Sequence, residues 1–301
     1  MKKITITLLA LVLALAFTAC TGNTAATTTT TTVAETTTAA QNEEKAIFYY
    51  GEIAYGAADE ESLYEKSLDL CGDAVFDDGT TIDQYHCKIF NDMNSALLAL
   101  KKKDIYALDL AKNVAEYIVA QNPDQFVVNG YGSTSNIMAF AMALKSENTA
   151  LKDELNTAIA ALKKDGTLEA LEKEYLSDLT KLPEAKDIPT IEGAETIKVV
   201  VTGDMPPFDY VTADGKAAGY NVALLSAISE KINKNIELVY ANAGSRYIQL
   251  TSGKADVIFW ARGEKYSETA EFSFANDLPE GMAVTDSYIT QEWRDIRVKE
   301  N

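Results

Sequence analysis

The stretch VVVTGDMPPFDYVTADGKAAGYNVALL, residues 199–225, decides the fold. A β-branched run predicts a strand, and Pro206-Pro207 predicts a turn. A tight hairpin follows around Asp214-Gly215, then an amphipathic helix from Tyr220. This is how an α/β unit opens, yet it stands two-thirds of the way along the chain.

Reading onward, NIELVYA predicts a strand, SRYIQLTSGKA a short helix and DVIFWAR a buried strand. The charged segment 263–281 reads as loop or short helix, and MAVTDSYI ends the sheet. Reading backward, PEAKDIPTIEGAE is a connector with prolines and no apolar period. Before it, residues 149–179 predict a helical hairpin broken at Asp165-Gly166. Residues 46–138 again alternate strands with helices: AIFYYGEIAYG, IYALDL and QFVVNGY as strands, with helices from Asp59, over 91–104 and over 111–123. IMAFAMAL adds a strand. The expected architecture is α/β with two lobes, 46–138 and 195–301, separated by closing helices and a connector over 139–194.

The N-terminus gives the address. MKK is a basic start, ITITLLALVLALAF an apolar run short for a membrane span, and FTAC ends in a small residue before Cys20. Residues 1–19 read as a signal peptide, and the Cys after the cut resembles a bacterial lipoprotein lipobox. That resemblance implies lipidation of Cys20 and tethering to the outer face of a Gram-positive-type membrane. Residues 20–45 then form a Thr-rich linker, with eleven Thr and no Lys or Arg between 21 and 40. The formal charge is −18, from 45 acidic and 27 basic residues, which argues against nucleic acid as a partner. Cys71 and Cys87 remain as a candidate disulfide or as two free thiols. His86 is the only histidine and no Cys-x-x-Cys pair exists, so no metal site and no cofactor is expected.

Three motifs carry a family resemblance. Pro207-Phe208 followed by ADGKAAGYNVALL and then LTSGKADVIFW is similar to the first lobe of the extracellular solute-binding proteins of family 3, the polar amino-acid receptors of ABC importers. ALLALKKKDIYALDLAKNVAEYI resembles part of that family's second lobe, and NTALKDELNTAIAALKKDGTLEALEKEYL its closing helices. The resemblance implies lobes in circularly permuted order, or two such proteins joined with their outer halves lost. The resemblance implies a periplasmic-binding-protein-like type II fold, a cleft between lobes, an amino-acid-like or small carboxylate solute, an ABC permease as partner, and a monomer.

The family holds its ligand with an aromatic before Pro-Phe, an Arg in Thr-x-x-Arg, and a second-lobe Asp. Here those positions carry Met205, no such motif (Glu268 stands near the Arg position) and Ala111. The remaining candidates are Trp260, Ala261 and Arg262 at a strand end, Arg246 at a helix start, Asp204 and Phe208 around the Pro-Pro turn, and Gly56 with Ala57 before a helix. Trp260 either stacks a ligand or packs the lobe. Arg246 and Arg262 either hold a carboxylate or remain solvated. With no G-x-S-x-G elbow and no phosphate-binding glycine loop, no enzymatic activity is expected. The expected function is a lipid-anchored receptor delivering a small solute. The alternative is a surface interaction or sensory module that binds none.

Overall fold

A computed structural model describes residues 47–56, 60–61, 65, 84–129, 137–265, 269–275 and 278–300. The leader, Cys20, the linker, Ala57, Cys71 and Glu268 lie outside the described residues.

Two half-sheets repeat one strand order. In the first, β1 (Phe48–Ile53) lies between β2 (Tyr85–Phe90) and β3 (Ala107–Ala111), all parallel. In the second, β6 (Thr196–Val201) lies between β10 (Asn235–Tyr240) and β11 (Val257–Gly263), again parallel. Parallel pairing of this kind needs crossovers, and helices supply them. Helix α1 (Met93–Lys101) joins β2 to β3. It starts where the Asp92 carboxylate accepts from the Ser95 amide at 2.8 Å, satisfying a donor that the helix leaves open. Helix α2 (Lys112–Gln121) ends just before Pro123 and leads to β4 (Phe126–Asn129).

The strand β5 (Ile137–Lys145) is buried from Ala139 to Leu144 and runs antiparallel to β11. It thus joins the second half-sheet, although it follows the first in sequence. Helices α3 (Thr149–Lys164) and α4 (Thr167–Leu176) come next. Leu151, Leu155, Ala158, Ile159 and Leu162 recur on one face of α3 and are buried. Gly166 turns the chain between the two helices at φ 82°.

After β6 a small sheet forms from β7 (Asp204–Met205), β8 (Asp209–Val211) and β9 (Ala217–Ala218). Gly219 then opens α5 (Tyr220–Ile232) at φ 110°. A Cβ there would sit 2.3 Å from the Phe208 carbonyl oxygen, so the glycine of the DGKAAGY segment is sterically required. Helix α5 is buried almost throughout its first three turns and packs against α3 and α4. The short helix α6 (Arg246–Thr251) leads into β11.

The sheet does not end at MAVTDSYI. Beyond β12 (Met282–Val284), the ten-residue β13 (Ile289–Val298) continues the chain. Its first part, Ile289–Glu292, pairs with β5, and Trp293–Ile296 pairs with β3. One strand therefore joins both halves in the order β10-β6-β11-β5-β13-β3-β1-β2. Its inward positions include Gln291 and Asp295 beside Ile289 and Trp293, which hides the apolar alternation. No described helix is long and apolar enough to cross a membrane.

Candidate functional site

In parallel α/β sheets, ligand sites form beyond the carboxyl ends of the strands, and here the ends of β1, β6 and β11 meet where the halves join. The turn after β6 is organised by one buried carboxylate. Asp209 Oδ1 accepts from the Thr202 and Gly203 amides at 2.8 and 2.9 Å and from the Thr202 hydroxyl. Its Oδ2 accepts from Asn221 Nδ2 at 2.9 Å and from Trp260 Nε1 at 2.7 Å. Trp260 is buried at φ 69°, with Phe208 and Phe140 edge-on at 4.9 and 5.0 Å. Of the two roles the sequence left open for Trp260, the contacts are those of packing, with its indole N–H tied to Asp209.

Both arginines reach across the junction. Arg246 is 1% exposed and donates to backbone carbonyls. Its Nε donates to Ala243 at 3.1 Å, Nη1 to Phe259 at 2.5 Å, and Nη2 to Ala54 at 2.8 Å and Tyr55 at 3.1 Å. Burial lowers its pKa from the usual value. Arg262 is 3% exposed and pairs with Glu52 at 2.9 Å and Glu264 at 3.4 Å. Its guanidinium stands 5.3 Å from the Tyr55 ring centre and 5.6 Å from that of Trp293. Neither arginine is a solvated surface charge.

Other groups tie the halves together. Asp204 Oδ2 accepts from the Met93 amide at the start of α1 at 3.0 Å, and burial raises its pKa. The Ala243 amide donates to the Asn91 carbonyl at 2.9 Å. Met205, Phe208, Ala261 and Ala111 are buried, Ala261 paired with Ala141 and Ala111 with Trp293. Gly56 follows Tyr55 on the turn after β1.

Two features were missed in the sequence. Tyr55 is 3% exposed, and its hydroxyl has no hydrogen-bond partner among the described residues, although it sits among Arg262, Trp260 and Trp293. Burial raises the pKa of this phenol, so it stays a neutral donor. Glu52, Asp109 and Asp295 also stand side by side on three adjacent strands. Burial, then Glu52 and Asp295, holds the Asp109 pKa well above the usual carboxylate range. Arg262 and Arg297 flank this row, Arg297 Nε lying 2.8 Å from Asp295 Oδ2. The partners lie up to 210 residues apart, so no local motif marks them. Among the described residues no group of three His, Cys, Asp or Glu is arranged for a metal ion. Cys87 is a buried free thiol, with its pKa raised mainly by burial.

Residues 197–288 match the family of bacterial extracellular solute-binding proteins, family 3, a family of binding proteins rather than enzymes. The match spans most of the second half-sheet and its helices. No curated protein matches the chain. Among solved structures, an Agrobacterium tumefaciens periplasmic binding protein in complex with agropinic acid is 11% identical at a TM-score of 0.38, over 72% of this chain and 55% of that one. The chain thus spans about half the length of that protein. A probable amino-acid ABC transporter extracellular-binding protein of Bacillus subtilis is 10% identical at 0.36, over 84% and 85%. A Brucella ovis periplasmic binding protein with glutathione bound is 8% identical at 0.41, over 85% and 63%.

Proposed function

We propose that this chain is an extracellular solute-binding protein of an ABC-type importer, anchored through Cys20, with its solute held where the two half-sheets join. The observation that carries this reading is Tyr55. A buried phenol without a partner costs about 1–3 kcal/mol, and a solute oxygen beside Arg262 would relieve that cost. A guanidinium beside two rings that pack on each other, with a hydroxyl donor next to it, suits a small carboxylate. Arg262 and Tyr55 are then the contacts, with Glu52 moving aside. Asp204, Arg246 and Trp260 shape the junction, and Met205, Phe208, Gly56, Ala57, Ala111 and Ala261 line or support it.

The permuted lobe order is part of the same proposal. The half that matches the family comes last, the helices α3 and α4 pack on it, and β5 enters it from the other half. Lobe closure around the solute would present a distinct form to the permease.

The pairing of Arg262 with Glu52 and Glu264 favours a second reading, a surface interaction or sensory module whose junction is filled by the chain itself. A thermal-shift screen with amino acids, short peptides and small carboxylates separates the two. A solute at a hundred times its Kd should stabilise by about 2.7 kcal/mol, and Tyr55→Phe should weaken that solute about tenfold. Silence across the panel from folded protein would overturn the transport reading.

A further inference from the structure

At the end of the first half opposite the junction, a pocket of about 710 Å³ opens beside the starts of β1 and β3 and the end of β13. Ile47, Tyr49, Tyr106 and Val127 line it, four of the eight large apolar side chains left exposed among the described residues. Lys103, Arg297 and Lys299 share the lining, with Asp104 and Glu300 as its only acids. Lys88, Lys101 and Lys102 lie beside it in sequence and register. Six cations thus gather at one end of a chain whose formal charge is −18, against Asp104 and Glu300 in the lining, Asp124 beside it and Asp295 paired with Arg297.

The rings are held rather than loose. Lys88 Nζ lies 4.2 Å from the Tyr49 ring centre, and the Arg297 guanidinium 4.3 Å from that of Tyr106. Phe48 packs edge-on against Tyr106 at 5.6 Å. Tyrosines with apolar bodies and polar tips, ringed by lysines, suit the headgroup layer of a bilayer. Lysines near an anionic leaflet are attracted to it over about a Debye length.

We propose that this base docks on an anionic phospholipid surface. Where the chain enters supports that occupant over others. Ile47 lines the pocket, and residues 20–46 link it to Cys20 and the apolar run before it. A chain of that length reaches at most about 95 Å, and it leaves from the base, not from the junction. A segment held in or at the membrane therefore keeps this face at high local concentration against lipid. Docking here would leave the junction directed away from the lipid until a permease engages it.

The test needs no solute, so its failure and that of the solute-binding reading are distinguishable. The chain from residue 20, carrying Cys20→Ser so that no acyl group contributes, is sedimented with vesicles. The vesicles are equal phosphatidylglycerol and phosphatidylcholine, or phosphatidylcholine alone. The expected result is co-sedimentation with the anionic vesicles only. Partitioning should fall at least about tenfold for Lys103→Glu with Lys299→Glu. The same reversal at Lys163 and Lys164 on α3 should leave it unchanged, and melting of each variant reports its folding. No sedimentation of the parent with anionic vesicles would overturn the proposal. So would equal partitioning to both vesicle types, or equal loss in the two double variants.

Discussion

The two ends of the first half-sheet treat charge in opposite ways. At the junction, Arg246 and Arg262 are almost wholly buried, and their donors meet carbonyls and carboxylates of the chain itself. At the base, Lys101, Lys102, Lys103 and Lys299 are exposed, and tyrosines stand open among them. Removing a charge from the first environment strands buried partners, whereas removing one from the second returns the site to water. Arg246→Ala should therefore cost about 3–5 kcal/mol, read as the urea midpoint with m unchanged. It leaves the carbonyls of Ala54, Tyr55 and Phe259 without their guanidinium donor. Lys103→Glu should stay within about 0.5 kcal/mol of the parent. Equal effects at the two ends would break the comparison.

A neutral group at the junction sharpens the same contrast. Trp260→Phe keeps a ring against Phe208 and Phe140 but removes the indole N–H from Asp209. The buried carboxylate keeps its Thr202, Gly203 and Asn221 donors, so the loss should be about 1–3 kcal/mol. Denaturant unfolding measures it. A cost near zero would mean that packing alone fixes Trp260.

Local pattern made much of the fold legible. The β-branched run at 199–201, the glycine before Tyr220 and the leucines of α3 each act within one element, and each appears where the sequence places it. The strand β13 was not legible, because burial of Gln291 and Asp295 breaks the apolar alternation that marks a strand. Arg246, Arg262 and Trp260 were legible as candidates at strand and helix ends. Their partners were not, since Glu52 and Tyr55 belong to a strand and turn about two hundred residues away. Tyr55 reads as an ordinary strand-end aromatic until tertiary contacts surround its hydroxyl. The basic base was open to inspection as Lys101-Lys102-Lys103. Only the folded chain brings Lys88, Arg297 and Lys299 to it.

The acid row between the two ends gives a smaller effect than either junction change, and its sign follows from proton linkage. Asp109 stands between Glu52 and Asp295, and its pKa in the folded protein lies well above that of an unfolded aspartate, about 3.9. The folded state therefore binds the proton more tightly than the unfolded state. The stability it lends is fully present below pH about 4 and is lost as pH rises through the folded-state pKa. Asp109→Asn replaces the ionising group with an amide that can donate to both neighbouring carboxylates. The variant should gain on the parent as pH rises from 5 to 8, by about 1 kcal/mol, since water still reaches this half-buried side chain. Melting curves at several pH values measure the gain. A constant difference between variant and parent would mean that Asp109 is already ionised at pH 5. Arg262 and Arg297 would then offset its acidic neighbours, and the row would behave like the exposed charges of the base.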